Sequence, residues 1–246
     1  MKRHLRIPLF LLISLLNSLA SYASNEMSFH QLGVKTGMSD NYIQAIERDK
    51  YGFMWFATRD GLNRYDGYHF KTYTTLRQGA YNNSVEWVAE DAAGNIWIKT
   101  PVNYCFYDRE MDELDNRTEL LLHKIGIFES PRQLFIDDDK NLWCVADNTL
   151  YYYIFSDETL YKQSLPGSVN IADMACRNKR CYMLMTDGNV INIDWMHKSI
   201  TKLFHTEIHT TYMPHIYLDF SSRLWVYAPH LSLIHISEPT RRYAIS

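Results

Sequence analysis

MSDNYIQAIERDKYGFMWFATRDGLNRYDGYHFKTY, Met38 to Tyr73, is the stretch whose reading decides the fold. Asp60-Gly61 separates GFMWFAT from LNRYD, and Asp66-Gly67 separates LNRYD from YHFKTY. Glycine supplies the positive φ that tight hairpins need, so each pair predicts a strand reversal. A third turn, Asp49-Lys50-Tyr51-Gly52, divides IQAIERD from GFMWFAT. Four short segments rich in aromatic and β-branched residues, joined by three tight turns, predict one antiparallel meander of about 35 residues. Both faces of a lone four-stranded sheet would be open to water, so such a unit must stack against others like it.

The unit repeats. Taking Trp55 as reference, tryptophan returns at Trp97, Trp143 and Trp225, with Tyr182 as an aromatic stand-in. The spacing of about 40 to 45 residues is that of a propeller blade. Six positions before each tryptophan stands an acid (Asp49, Asp91, Asp137, Asp219), and nine before it an aliphatic (Ile46, Val88, Leu134, Ile216). Counted the same way, Cys176 interrupts the acid position in the fourth copy. The aliphatic is expected on an inner strand, the acid in the following turn, and the tryptophan between neighbouring sheets. The fold class is therefore all-β, an incomplete β-propeller of about five four-stranded antiparallel blades. They fall near residues 38–73, 82–114, 129–160, 168–203 and 211–230.

NYIQAIERDKYGFMWFATRDGLNRYDG resembles the two-component regulator propeller repeat, found in the periplasmic sensor region of hybrid two-component systems of Bacteroides-type bacteria. The likeness is close over Ser39 to Gly67 and looser in VEWVAEDAAGNIWIKTPVNYCFYD and QLFIDDDKNLWCVADNTLYYY. MACRNKRCYMLMTDGNVINID keeps a turn at Asp187-Gly188 but has lost both acid and tryptophan.

Residues 1–23 read as an export signal preceding the propeller of residues 24–230. Lys2, Arg3 and Arg6 form a basic start, Ile7 to Leu16 a short apolar core, and Ser21-Tyr22-Ala23 offers small residues for cleavage. The apolar run is too short to span a bilayer comfortably. The expected location is periplasmic. Phe29 to Gly37 reads as a lone strand with a turn. At the other end LSLIHISEPTR, Leu231 to Arg241, resembles the in-frame translation of a transposase-based sequencing adapter. Residues 231–246 are therefore expected to be a non-native tail, and the natural frame to continue beyond His230.

The chain carries a formal charge of −3. Removing the basic signal and the tail makes the remainder more acidic, which argues against direct contact with nucleic acid or an anionic membrane surface. Four cysteines occur. Cys176 and Cys181 flank Arg177-Asn178-Lys179-Arg180, so an antiparallel hairpin could bring them together as a disulfide in an oxidising compartment, or leave two packed thiols. Cys105 and Cys144 read as core residues, and no C-x-x-C pair occurs.

No motif for catalysis, cofactor or metal stands out. His205, Glu207 and His209 share a face if extended and His215 follows, but HTEIH lacks the helical H-E-x-x-H spacing and nothing in the sequence places His215 near it. Asp137, Asp139 and Asn141 mimic the start of a calcium loop, yet Leu142 stands where the turn glycine belongs, and the repeat explains them as a blade turn. Trp87, Trp195 and Tyr151-Tyr152-Tyr153 are less committed to the repeat and open to ligand stacking. Ordinary propeller geometry directs a ligand to the face carrying the strand-two-to-three turns and inter-blade connections. In the first blade that selects Ser39, Asp40, Asn41, Arg59 and Asp60, of which Asn41, Arg59 and Asp60 are the ligand candidates.

The resemblance implies more than these residues carry. A complete relative would have two propellers, a β-sandwich-like domain, one membrane helix, and kinase, receiver and AraC-type DNA-binding domains. Its partner would be an oligosaccharide released during polysaccharide breakdown, its assembly a homodimer, and its output carbohydrate-utilisation genes. This segment would bind without turnover. Two other classes fit the residues: a secreted propeller lyase or glycosidase, with convergent acids in the channel, or a scaffold without a polar pocket.

Overall fold

The computed structural model describes residues 29–75, 83–165, 170–177, 179–197, 199–206 and 214–228, and the backbone of 234–236. The chain divides at Leu32–Gly33 into two units, and every element below belongs to the second. The signal segment and most of the tail lie outside the described residues.

Among the described residues five antiparallel sheets follow one another in sequence. The first holds β1 (Ile43–Arg48), β2 (Met54–Thr58), β3 (Gly61–Tyr65) and β4 (Phe70–Tyr73). The second holds β5 (Trp87–Glu90), β6 (Ile96–Lys99), β7 (Tyr104–Asp108) and β8 (Glu113–Asp115). The third holds β9 (Gln133–Ile136), β10 (Leu142–Ala146), β11 (Thr149–Ile154) and β12 (Thr159–Ser164). The fourth holds β13 (Ile171–Arg177), β14 (Arg180–Met185), β15 (Asn189–Asp194) and β16 (Ser199–His205). The fifth holds β17 (His215–Leu218), β18 (Leu224–Tyr227) and β19 (Ile234–Ile236). Each is a meander in sequence order, as the turn signals predict. The fifth has three strands among the described residues rather than four. Its third strand falls in the stretch resembling an adapter; backbone pairing on an open edge requires only an extended partner, whatever its origin. Residues 29–37 depart from the expected strand, because Val34–Thr36 form a single 3₁₀ turn. Asn41 Oδ1 accepts the Val34 N–H at 2.9 Å and Thr36 Oγ1 accepts the Gly33 N–H at 2.9 Å, local bonds that compete with a ladder.

The period of two along each second strand sorts its side chains between neighbouring blades. Trp55 and Ala57 pack with Val88, Ile96, Ile98, Cys105 and Tyr107 of the second blade. Trp97 faces Leu134, Leu142 and Cys144 of the third, and Trp143 faces Met174, Cys181 and Met183 of the fourth. Tyr182 takes the same position toward Ile216, Leu224 and Val226 of the fifth. The aliphatic of the repeat is buried wherever a blade precedes it, with Val88 and Leu134 each 3% exposed, whereas Ile46 on the first blade is 53% exposed. The Tyr151–Tyr153 run is absorbed by this packing: Tyr151 and Tyr153 face the second blade, and Tyr152 stacks on Trp143 at 3.9 Å. Trp195 packs beside that pair, and Trp87 lies partly buried against the second and third blades.

The repeated acid and tryptophan are one device. Indole Nε1 donates to the carboxylate six residues earlier in four blades: Trp55 to Asp49 at 3.0 Å, Trp97 to Asp91 at 2.8 Å, Trp143 to Asp137 at 2.9 Å and Trp225 to Asp219 at 3.0 Å. The other carboxylate oxygen accepts backbone N–H groups of the turn, including Phe53, Asn95, Asn141 and Arg223. A single aspartate thus closes the first hairpin and satisfies a buried indole that would otherwise lack a partner. Asp137 serves this purpose, not a calcium loop.

Register corrects the count in the fourth blade. Tyr182 pairs with Ala175, Cys181 with Cys176, and Arg180 with Arg177, so the turn is a residue shorter than in the first blade. Arg177, rather than Cys176, therefore stands where the acid stands elsewhere. Its guanidinium reaches turns on both sides, pairing with Asp138 and donating to the Asp219 carbonyl at 2.5 Å. Similar ties run between the other first turns: Glu90 accepts the Lys50 N–H, Ala92 N–H donates to the Lys140 carbonyl, and Lys140 Nζ pairs with Glu47.

Candidate functional site

The face opposite this stitched rim carries the strand-two-to-three turns. First strands of neighbouring blades lie side by side, β1 with β5, β9 with β13, and β13 with β17, so their starting residues gather around the axis of the stack. Register places Gln44, Glu86, Arg132, Asn170 and His215 at or just before these strand starts, each beside the end of its own second strand. A strand start at the inner rim is short of ladder partners, so side chains there turn to neighbouring blades.

The rim is built from pairs. Gln44 Nε2 donates to Ser84 Oγ at 3.0 Å, linking the first two blades. Lys99 Nζ lies 3.2 Å from Glu86 Oε2 on the second blade. Arg132 Nη2 donates to Asn170 Oδ1 at 3.2 Å between the third and fourth, and His215 Nδ1 stands 3.1 Å from Asp173 Oδ2 between the fourth and fifth. Asp173 Oδ2 also accepts the Ile216 N–H at 3.2 Å. The hydrogen bond that Asp173 accepts raises the His215 imidazole above its ordinary value of 6.5 despite partial burial; Lys99 opposes and Glu86 favours its charge across the rim. Stacked on His215, with ring centroids 5.3 Å apart, is Tyr227. Half-exposed ion pairs of this kind contribute little stability, so they can exchange partners at low cost.

The three residues selected from the sequence all belong to this face of the first blade, and each is already engaged. Asn41 holds the 3₁₀ turn through Val34 N–H. The Arg59 guanidinium lies 3.5 Å over the Tyr42 ring. Asp60 Oδ1 accepts from Asn83 Nδ2 at 3.0 Å. Sequence reading missed Gln44, Glu86, Lys99, Arg132 and Asp173, and named His215 only beside the histidine cluster, because none repeats in type; all but Lys99, which ends a second strand, lie at or near the starts of first strands. Of the histidine cluster, His205 Nδ1 stands 3.2 Å from Asn189 Oδ1, while Glu207 and His209 lie outside the described residues. Among the described residues no group of three metal-ligating side chains gathers, and no helix is long and apolar enough to cross a membrane.

Four clasped hairpins, blade-to-blade packing and a polar inner rim define an antiparallel β-propeller segment. Residues 37–60, which include the Asp49–Trp55 clasp, match the family described as Two component regulator propeller. A stretch of 37 residues is 51% identical to Histidine kinase P4 of Formosa agariphila, covering 15% of this chain and 3% of that protein. The extracellular domain of the hybrid two component system BT3049 from B. thetaiotaomicron superposes with a TM-score of 0.58 at 21% identity, over 86% of this chain and 30% of that one. For the extracellular domain of BT4673 from the same organism the values are 0.55 and 15%, over 81% and 27%. The chain thus spans under a third of each solved domain, and these likenesses speak to fold.

Proposed function

We propose that this chain is the ligand-sensing propeller segment of a periplasmic receptor in a hybrid two-component system. It binds an oligosaccharide at the inner rim and has no turnover of its own. The observation that carries the reading is the run of polar side chains from successive blades at equivalent strand starts, with the Tyr42 and Tyr227 rings on the same face. Mixed donors and acceptors suit a polyhydroxyl ligand, and aromatic rings suit the apolar faces of sugars. The matched repeat and the hybrid-system neighbours support a sensor assignment. In the complete receptor, ligand binding would shift a homodimer between two packings and pass the signal across the membrane to a kinase controlling carbohydrate-utilisation genes. A ligand moves such an equilibrium only by its differential affinity for the two states.

Titration calorimetry of the chain against a panel of oligosaccharides differing in charge and linkage tests this. Saturable binding that weakens at least tenfold in Lys99→Ala and Arg132→Ala, with unchanged thermal midpoints, is the expected result. Binding that ignores both substitutions, or release of new reducing ends, would replace the rim-sensor reading with another site or with an enzyme.

A further inference from the structure

The fourth blade lacks the clasp that closes the first hairpin of the other blades. Arg177 occupies the acid's register position, and Tyr182, which has no ring N–H, replaces the tryptophan. One pair inside Arg177 and Arg180, Cys176 and Cys181 stand directly opposite each other on β13 and β14. Their Sγ atoms are 2.9 Å apart. The pair adjoining the closing pair of a two-residue hairpin is a non-hydrogen-bonded pair, where the strands approach most closely and Cα atoms fall in the range a disulfide requires. Both side chains are buried against Trp143, Met174, Met183 and Ile193, in the interface with the third blade. Cys105 and Cys144 sit in two other interfaces, so neither competes for this partner.

We infer that Cys176 and Cys181 are a site of covalent modification, a cross-strand disulfide that closes the fourth blade's hairpin where the aspartate–indole clasp is missing. The oxidant is a low-molecular-weight or protein disulfide of an oxidising compartment. One cysteine thiolate attacks that disulfide and expels a first thiolate. The second cysteine attacks the resulting mixed disulfide and expels the other, so two electrons and two protons leave the hairpin with the two departing thiols. Closure occurs while the hairpin is still accessible, because docking against the third blade buries both sulfurs, and burial pushes the Cys176 thiol up. For the same reason the finished bond resists reductant until the blade opens. The inference does not depend on the sensor reading.

The full chain, folded in a mixture of reduced and oxidised glutathione, is denatured without reductant, alkylated and digested with trypsin. Cleavage after Arg177 and Arg180 leaves the two cysteines on separate peptides, residues 163–177 and 181–198. The expected result is one linked species that reductant splits in two, with alkyl groups on Cys105 and Cys144. Alkylation of both Cys176 and Cys181, or linkage of either to Cys105 or Cys144, overturns the inference. A second measurement uses thermal unfolding: reductant should lower the midpoint of the parent and leave that of C176S/C181S unchanged, and an equal effect on both contradicts it. The peptide map decides the matter even where the double variant fails to fold.

Discussion

A single aspartate in each clasped blade does two jobs, and the two can be separated by mutation. Asp91 Oδ2 accepts from Trp97 Nε1 at 2.8 Å and from Asn95 Nδ2 at 2.8 Å, while Oδ1 accepts the Asn95 N–H at 2.9 Å. Asp91→Ala orphans a buried indole and loosens the turn, which should cost about 2 to 4 kcal/mol, since each unsatisfied buried donor costs about 1 to 3. Trp97→Phe removes the donor while keeping much of the ring. Urea unfolding of the two single variants and the double variant should return a coupling of about 1 to 2 kcal/mol, as for other directly bonded buried pairs. A coupling near zero would mean that the acid acts on the turn alone. The six-residue spacing was visible in the sequence, but its meaning was not: a count places Asp91 before Trp97 without showing that the hairpin folds one back onto the other. The same count misassigned Cys176, because a turn shortened by one residue is invisible until strands are paired.

At the scale of the element, neighbouring blades are joined by side-chain clusters whose charge states can be titrated. Asp112, in the turn between β7 and β8, accepts from Tyr73 Oη at 2.6 Å and Tyr107 Oη at 2.7 Å, lies 3.3 Å from Arg64 Nη1 and pairs with Lys71. Burial alone would raise this carboxyl; the bonds from Lys71, Tyr73 and Tyr107 and the Arg64 charge outweigh it and hold it well below 3.8. A folded value below the unfolded one gives stability that is present above about pH 4 and lost as pH falls through the folded value. Asp112→Asn should therefore flatten the acid limb of a plot of urea midpoint against pH. His215 has the opposite sign. Its value is raised by Asp173, so its contribution is complete below about pH 6.5 and disappears as pH rises through the higher folded value. Asp173→Asn should remove that alkaline-side loss, and an unchanged profile would show that the pair is not formed in solution.

Across the whole molecule, stability is a sum of blade interiors and blade-to-blade interfaces, as in other stacked repeats. Trp143 is fully buried between the third and fourth blades, whereas Trp225, on the last described blade, is only partly buried. Trp143→Ala should cost about 3 to 5 kcal/mol, the usual loss for a large buried aromatic, and Trp225→Ala distinctly less. Chemical denaturation measures both, and equal costs would refute the graded-interface picture. The stack also explains two polar surfaces of different character. One face is stitched by turn-to-turn bonds such as Lys50 to Glu90 and Arg177 to Asp219, while the other presents half-exposed pairs at the inner rim.

By itself the sequence determined the local features. Asp-Gly turns, alternating strands and the recurring tryptophan are properties of short segments, and they specified antiparallel blades and their order. Those signals depend on φ preferences and period-two burial, which act within a few residues. Only the tertiary structure decided which residues meet. The inner rim is assembled from one unlike residue per blade, Gln44, Glu86, Arg132, Asn170 and His215, brought together across some 170 residues of chain by stacking. Nothing local marks such residues, because their common property is a register position at the start of an inner strand, and register exists only once strands are paired.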